Sequence, residues 1–507
     1  MSHGRASIPL KVGLVSLGCA KNLVDSEVML GSLLRDGMQL TENAREADVI
    51  IINTCGFIEG SKKESIDAVL KANELRQTGK CQALIVAGCL TQRYPKDLRK
   101  ELPEADAIVG LNEVPRIAEI VRDVLSGKGV GAPFQARPVV RSRAEARSHN
   151  HGAGPTLFWS GPARYVPDYA APRFRLTPKH YAYVKIAEGC NHPCTFCSIP
   201  RIRGKHRSRR LPDVLSEIRA LVADGVREIN LISQDTTFFG KDLTSAVVGA
   251  PFQARPVAES GAEARSPNSQ ATPSLSSLLR AIQQTPGDFW VRLLYTHPAH
   301  WTDDLIETIA ACNKVCRYVD MPLQHINDEM LKQMKRETSG QHIRDLIARI
   351  RAGVPGITLR TTFIVGFPGE TDAQFEELLG FIEATKFERL GVFQYSQEDH
   401  TPAGAMAGQV SARIKKQRYC RVMALQQRIS RDIQQGFVGK TLRVLLEKPA
   451  EDGVLARSHA DAPEIDGSVL VAGDVRVGEF ATVRIRSASE YDLTGEVVSD
   501  TLHVATF

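Results

Sequence analysis

The chain has 507 residues, which is too many for one hydrophobic core and predicts roughly three domains. Hydrophobic residues make up 43% and charged residues 24%, ordinary values for a globular protein, and no apolar run is long enough to span a membrane. The net charge of +6 permits a phosphate-bearing partner without requiring one.

The amino terminus lacks the features of a secretory signal, because MSHGRASIPLKVGLVSLGC contains neither a long apolar stretch nor a small-residue cleavage site. Ten cysteines in such a chain indicate metal or redox chemistry rather than disulfides. We therefore expect a cytoplasmic protein with no membrane partner.

Residues 8–130 alternate between apolar, β-branched runs and helical segments, which predicts a parallel α/β domain. The predicted strands are Val12–Gly18, Ala47–Cys55, Ala83–Cys89 and Ala107–Leu111, and the helices include Asp25–Asp36 and Gly60–Glu74. Cys19, Cys55 and Cys89 each stand at or just after a strand end, beside a glycine. Since the carboxyl ends of parallel strands share one edge of a sheet, these thiols are candidates for one metal site. Three buried structural thiols are the alternative.

Residues 131–178 are predicted to be an insert and a Pro-rich linker. The segment 131–150 recurs at 249–268 with sixteen of twenty positions identical, and both copies are poor in apolar residues. We interpret them as mobile insertions in surface loops. A pair of basic arms that touch RNA is the alternative.

Residues 179–435 resume the alternation, with six strand candidates that predict an open, partial TIM-type barrel. The strands read YVKIAEG, REINLIS, WVRLLYT, RYVDMPL, TLRTTFIVG and RLGVFQYS. After the first of them, Cys190, Cys194 and Cys197 form a C-x-x-x-C-x-x-C triplet. A cubane cluster is normally held by four thiolates, so three leave one iron open, as needed to bind S-adenosylmethionine (SAM). The spacing, with Phe196 before the third cysteine, resembles the signature of radical SAM enzymes. A zinc knuckle or a chance cluster of cysteines is the alternative, but no fourth Cys or His stands nearby at finger spacing.

Candidate cofactor contacts follow the later strands of this barrel. Ser233, Gln234 and Gln324 end two strands and are candidates for polar groups of SAM. Arg360 is a candidate partner for a carboxylate, with a structural ion pair as the alternative. In the GFPGET loop the candidates are Gly366, Phe367, Pro368 and Gly369, and a plain strand-to-helix turn is the alternative.

The basic run Arg203–Arg210 follows the cysteine triplet. We interpret it as a solvated helix entry with Ser208 as the N-cap. Contact with ribosomal RNA is the alternative. The remaining thiols, Cys81, Cys312, Cys316 and Cys420, are predicted to be structural.

Residues 436–507 contain short alternating strands that predict a small antiparallel β-barrel. The predicted strands read TLRVLLE, GSVLVA, FATVRIRSA and DLTGEVV. Candidate RNA-contacting residues are Arg457, His459, Arg484 and Arg486. A structural cap is the alternative.

Two cysteine triplets, one in an α/β domain and one in a radical SAM barrel, followed by a small barrel, resemble the methylthiotransferases. SLGCAKNLVDSE, NTCGFI, YVDMPLQHIND and TTFIVGFPGET are similar to the branch that modifies an aspartate β-carbon of small-subunit ribosomal protein twelve. DAPEIDG (Asp461–Gly467) resembles the TRAM domain, which binds RNA in the tRNA-modifying branch; in the ribosomal-protein branch the resemblance implies that it holds the protein target.

The resemblance implies two [4Fe-4S] clusters, SAM, an external electron donor and a ribosomal protein substrate, with contact to RNA. Cys190, Cys194 and Cys197 would hold the cluster that cleaves SAM, and Cys19, Cys55 and Cys89 the cluster that carries the methylthio sulfur. It also implies that both triplets face one cavity. A tRNA adenosine methylthiotransferase and a non-catalytic iron–sulfur RNA-binding or ribosome-assembly factor are the alternatives.

Overall fold

The computed structural model describes residues 9–127, 155–168, 171–243, 273–473 and 475–498, so both repeated inserts lie outside the described residues. The chain divides into two compact units. The first unit comprises Met1–Pro178, Glu188–Lys205 and Ser396–Ala407; the second comprises Lys179–Ala187, His206–Tyr395 and Gly408–Phe507. In the part of the chain that is described, no helix is both apolar enough and long enough for a membrane crossing.

The first unit contains a six-stranded parallel sheet in the order β2-β1-β3-β4-β5-β6. Its strands are β1 (Lys11–Ser16), β2 (Gln39–Leu40), β3 (Val49–Thr54), β4 (Ala83–Gly88), β5 (Ala107–Val109) and β6 (Thr156–Phe158). Its helices are α1 (Ala20–Arg35), α2 (Glu59–Thr78), α3 (Cys89–Arg93), α4 (Pro95–Glu101) and α5 (Ile117–Leu125). β3 and β4 are buried on both faces, as their continuous apolar sequence predicts. The predicted parallel α/β fold is confirmed, and the short strands β2 and β6 add to it.

The second unit contains a parallel sheet of six strands in the order β14-β13-β12-β11-β10-β7, with β7 and β14 at its two edges. These strands are β7 (Tyr181–Lys185), β10 (Glu228–Ile232), β11 (Trp290–Leu293), β12 (Val315–Asp320), β13 (Thr358–Val365) and β14 (Arg389–Gln394); two short strands, β8 (Ala187–Glu188) and β9 (Arg207–Ser208), precede β10. The intervening helices are α6 (Ile199–Arg203, in the first unit), α7 (Leu211–Ala223), α8 (Leu275–Gln283), α9 (Asp303–Ala311), α10 (Asp328–Gln333), α11 (Gly340–Gly353), α12 (Asp372–Thr385) and α13 (Ala412–Gln435). The partial TIM-type barrel is thereby confirmed.

The last five strands close a small barrel in the order β15-β16-β17-β19-β18. They are β15 (Thr441–Ala450), β16 (Gly453–Ser458), β17 (Val469–Ala472), β18 (Phe480–Ala488) and β19 (Leu493–Val497). The predicted β-barrel is confirmed, and its strand pairs are antiparallel except for β17 and β19, which pair in parallel. β16 is the strand that its sequence pattern did not indicate.

A buried ion-pair network joins this small barrel to the six-stranded sheet of the same unit. Glu228, at the start of β10, is fully buried and pairs with Arg292 at 2.7 Å and with Arg457 at 2.6 Å. Arg457 also reaches Glu447 at 2.6 Å. A buried charge is stable only when it is paired and hydrogen-bonded, so the guanidinium group of Arg457 has a structural role. The prediction that Arg457 contacts RNA is wrong.

A second buried group lies next to it in the same unit. Arg360 on β13 pairs with Asp320 at 2.9 Å and with Asp466 at 3.4 Å, and the Tyr318 hydroxyl donates to Asp466 at 2.6 Å. Of the two interpretations of Arg360, the structure shows the ion pair. Asp461 binds Arg389 in the same way, so the acidic residues of the DAPEIDG segment anchor the small barrel.

Candidate active site

The three strand-end cysteines lie together at the carboxyl edge of the first sheet. Cys19 precedes α1, Cys55 follows β3, and Cys89 begins α3 directly after β4. A Cβ atom on Gly18 would stand 2.9 Å from the Cβ of Cys55, and one on Gly56 would stand 2.6 Å from Cα of Leu90. Because the three segments approach this closely, only glycine fits between them.

Asn22 fixes the segments that carry these cysteines. Its side-chain Nδ2 donates to the carbonyl oxygens of Leu17 at 2.6 Å and Thr54 at 3.2 Å. Asn53 returns a hydrogen bond to the Asn22 carbonyl at 2.8 Å and donates to Ser26 Oγ at 2.7 Å. The polar residues that follow Cys19 in the sequence are therefore the ones that hold the strand ends in register.

The electrostatic environments of the thiols differ. Desolvation raises the pKa of the Cys19 thiol, but the charges of Lys21 and Arg203, together with hydrogen bonds from the backbone of Asn22 and Lys21, outweigh it, and the pKa lies below its ordinary value. Burial raises the pKa of the Cys89 thiol to about 12, against the attraction of Arg203. Since a metal binds the thiolate, binding at Cys89 must displace a firmly held proton.

The second triplet occupies a short loop of the same unit that hydrogen-bonds to itself. The Cys190 amide donates to the Gly204 carbonyl at 3.0 Å, and the Cys197 amide donates to the Cys194 carbonyl at 3.2 Å. The Ile199 amide donates to Cys197 Sγ at 3.4 Å. These bonds are local in sequence, and one distant bond adds to them, from the Ala403 amide to the Thr195 carbonyl at 2.9 Å.

Arg203, at the end of α6, connects the loop to the first triplet. Its side chain is 2% exposed, and its Nη1 lies 3.0 Å from carboxylate oxygens of both Asp25 and Glu188. Its Nη2 lies 3.2 Å from the sulfur of Cys89. The interpretation of residues 203–210 as a solvated helix entry is therefore wrong at Arg203.

In the rest of that basic run Lys205 is exposed and belongs to the first unit, while residues 206–210 belong to the second unit. His206 and Arg209 are each 5% exposed, whereas Arg210 is exposed and pairs with Asp213. Ser208 does not cap α7; its hydroxyl binds Asp242, and Arg210 occupies the N-cap position. The predicted N-cap is wrong, because Leu211 and Pro212 start the helix later than the serine implied.

The residues of both triplets fit an iron–sulfur cluster. Among the described residues, neither triplet is one of the groups whose ligand atoms all lie within 4.8 Å of one another, the arrangement that a single metal ion needs. Three thiolates are the ligand type that holds such clusters, and glycine backbone packs closely around the first triplet.

In the second unit, the strand-end candidates have features that a polar ligand would explain. Ser233, which follows β10, is fully buried, and its Oγ has no hydrogen-bond partner among the described residues. Gln234 is next to it. Gln324, after β12, has φ +76°, and Tyr295, after β11, has φ +62°. Such conformations cost of order 1–3 kcal/mol in non-glycine residues and concentrate at functional sites. No feature of the sequence identified Tyr295 as a candidate site residue.

The GFPGET loop is held in place by hydrogen bonds to its glutamate, Glu370. Glu370 is 5% exposed; it accepts from the Gly366 amide and from Arg418 at 2.8 Å. A Cβ atom on Gly366 would stand 2.4 Å from Cγ of Lys415, and Phe367 is fully buried. Pro368 and Gly369 complete the turn before Thr371 caps α12. The strand-to-helix turn is present; Gly366 and Gly369 have φ +73° and +80°, which favours glycine at both positions, and Lys415 packs against the first of them.

The comparisons place each part of the chain in a known class. Residues 11–110 match the model of uncharacterized protein family UPF0004, residues 184–382 the radical SAM superfamily, and residues 438–498 the TRAM domain. Among solved structures, the radical S-adenosylmethionine methyltransferase TsrM from Kitasatospora setae is similar, with TM-score 0.50 and 15% identity over 78% of this chain and 77% of that chain. This likeness shows the fold, and the class is that of radical SAM enzymes.

Full-length relatives identify the family. The chain is 54% identical over 489 residues to the ribosomal protein uS12 methylthiotransferase RimO of Opitutus terrae, covering 96% of both chains. It is 46% identical to the RimO protein of Akkermansia muciniphila and 44% identical to that of Geobacter sulfurreducens, with 96% of this chain and 100% and 99% of those chains covered. The chain belongs to the ribosomal protein uS12 methylthiotransferase family. As a radical SAM methylthiotransferase it uses SAM and a [4Fe-4S] cluster.

Proposed function

We propose that this chain transfers a methylthio group to the β-carbon of an aspartate in small-subunit ribosomal protein uS12. The names of its full-length relatives, ribosomal protein uS12 methylthiotransferases, and the motifs around Cys19 and Cys55 support this substrate. One structural observation carries the proposal: the two cysteine triplets belong to one compact unit and are linked through Arg203.

The six cysteines are proposed as the ligands of two clusters. Cys190, Cys194 and Cys197 would hold the [4Fe-4S] cluster that binds SAM, and Cys19, Cys55 and Cys89 would hold a second [4Fe-4S] cluster. When bound, the clusters and SAM supply the electron, the radical and the methylthio sulfur. The protein positions them: the self-bonded loop fixes one set, and Asn22 holds the strand ends that carry the other.

The polar groups after the barrel strands are proposed to contact SAM. The unpartnered Oγ of buried Ser233 would gain a hydrogen bond, and Gln234 and Gln324 would supply amide groups. Gly366, Phe367, Pro368 and Gly369 would pack beside the cofactor. Arg360 is already bound to two carboxylates, and these contacts oppose its use as a ligand for SAM.

The proposed domain division stays as the sequence predicts it. It places the methylthiotransferase α/β domain at 8–130, an insert and linker at 131–178, the radical SAM barrel at 179–435 and the TRAM-like barrel at 436–507. Arg484 and Arg486 are exposed on β18 and remain candidates for RNA contact, as does the half-buried His459. An external electron donor and a cytoplasmic location complete the proposal.

The test is a mass measurement on the substrate. Anaerobically reconstituted protein is incubated with SAM, a reductant and either small ribosomal subunits or tRNA. We expect a methylthio mass gain on one aspartate-containing peptide of uS12, and none on tRNA nucleosides.

Two results would contradict the proposal in different ways. A gain on a tRNA adenosine would keep the reaction and overturn the substrate. Cleavage of SAM without any gain would leave the radical SAM assignment alone. Protein lacking Cys190, Cys194 and Cys197 serves as the control, since no transfer is expected without the cluster that cleaves SAM.

A further inference from the structure

Arg203 is a buried cation that contacts a proposed cluster ligand. One end nitrogen of its guanidinium, Nη1, is bound by Asp25 and Glu188, both at 3.0 Å. The other, Nη2, lies 3.2 Å from Cys89 Sγ and 3.4 Å from Asn22 Oδ1. All five residues belong to the first unit.

A purely structural role does not require this arrangement. The two carboxylates are almost fully buried, and a buried guanidinium must be paired to be tolerated. Both carboxylates meet the same nitrogen, however, so the ion pairs are complete without Nη2. Because the guanidinium group is rigid and planar, Nη2 then points to the sulfur. A lysine has one ammonium nitrogen, which cannot reach the sulfur while it remains paired with both carboxylates.

A hydrogen-bond donor at a ligand sulfur has a defined effect on a cluster. It stabilises negative charge on the sulfur, and the reduced cluster carries more negative charge than the oxidised one. A donor there therefore raises the reduction potential. It also fixes the orientation of the ligand side chain.

We propose that Arg203 is a positioning residue for the second cluster, donating from Nη2 to the iron-bound sulfur of Cys89 and so raising the reduction potential of that cluster. This inference rests on the proposed function, since it takes Cys89 as a ligand. Because the Cys190 amide is bonded to the carbonyl of Gly204, next to Arg203, the same contact ties the loop of one triplet to a ligand of the other.

The test isolates the second cluster in the full-length chain. In a background carrying Cys190→Ala, Cys194→Ala and Cys197→Ala, the second site alone can hold a cluster. Arg203→Lys is added to this background, because lysine keeps the positive charge between the buried carboxylates. Iron content, thermal stability and an EPR-monitored redox titration are then measured anaerobically.

We expect the lysine variant to keep its iron and its Tm and to be harder to reduce. The hydrogen bond stabilises the reduced cluster more than the oxidised one, so without it the ratio of reduced to oxidised cluster at a fixed potential should fall, by on the order of tenfold. For a one-electron couple, a tenfold change corresponds to about 59 mV.

Arg76→Lys in the same background is the matched control. Arg76 is a half-buried arginine of the first unit that pairs with Asp106 at 2.8 Å and donates to the carbonyls of Glu104 and Gln82. Its substitution should leave the potential unchanged.

The outcomes distinguish failure of the role proposed for Arg203 from failure of the proposed function. An unchanged potential in an iron-loaded Arg203→Lys protein overturns the role of Arg203 and leaves the proposed function standing. Loss of iron together with a lowered Tm shows a structural residue only and also overturns it. Absence of iron in the background protein removes the second cluster, and with it both this inference and the proposed ligand set.

Discussion

The two cysteine triplets are built in opposite ways. Cys190, Cys194 and Cys197 lie within eight residues of sequence, and local backbone hydrogen bonds define their loop. The other three cysteines come from three strand ends, and nothing but the folded sheet brings them together. The spacing of the cysteines in the sequence is enough to predict the first, local triplet. The second triplet is assembled by the fold, so it depends on every contact that sets the positions of the strands.

Removal of each triplet should give the largest effect and should separate the two sites. Alanine at Cys190, Cys194 and Cys197 should abolish SAM cleavage, because the ligands of the SAM-binding cluster are gone. Alanine at the strand-end cysteines should leave SAM cleavage intact while methylthio transfer disappears. Deoxyadenosine release and substrate mass report the two steps. If both variants lost SAM cleavage, the division of labour between the triplets would be wrong.

A single methyl group should disturb the assembled triplet. In Gly56→Ala the new Cβ would stand 2.6 Å from Cα and 2.9 Å from the backbone nitrogen of Leu90, next to Cys89. We expect a loss of about 1–3 kcal/mol in the free energy of unfolding, and loss of iron from the second site in the background without the loop cysteines. Denaturant titration and iron analysis measure both.

Gly60→Ala is the control for this change, since a Cβ there meets nothing within 4 Å and the residue lies in α2. It should stabilise the protein by up to about 1 kcal/mol. Equal iron loss in the two variants would show that the close packing at Gly56 does not hold the site.

Asn22→Ala should weaken the assembled site more mildly. It removes the donor to the carbonyls of Leu17 and Thr54 and leaves buried acceptors unsatisfied, at a cost of about 1–3 kcal/mol. We expect faster release of iron to a chelator from the second site and unchanged SAM cleavage. Asn43→Ala, which removes an exposed bond to Glu46, should change neither quantity.

The smallest effect is expected at the cysteines outside both triplets. Cys316 is 3% exposed, and burial raises the pKa of its thiol to about 12, so it should resist alkylation of the native protein at pH 8. The exposed Cys420 should react readily. Cys420→Ser should leave iron content and activity unchanged. A fall in iron content would add a ligand to the sets proposed above.

The sequence predicted the elements with strong periodic patterns. The β-branched run of β3 and the alternation in the six barrel strands indicated their positions closely. The strands β2 and β6 contain two and three residues, too few for a pattern, and β6 follows the insert. β16 contains Arg457, whose charge suggested a surface because its partner Glu228 is 229 positions away.

The site was predicted where its chemistry is local. The cysteine triplet at 190–197 follows from spacing, but the burial of Arg203 does not, because Asp25 is 178 positions away and only the fold pairs them. A run of arginines and lysines indicates a solvated surface in most sequences. The sequence shows that Arg203 is positively charged, but it does not show that the side chain is buried.

The ion pairs of Glu228 also bear on how the chain is made. Arg457 leaves the ribosome long after Glu228 and Arg292 have been synthesised, so the ion pair that these two form lacks its second arginine while translation continues. The amino ends of β10 and β11 are therefore less stable until the last segment emerges. A nascent chain stalled before residue 436 should remain sensitive to protease in this region, and release of the full chain should protect it.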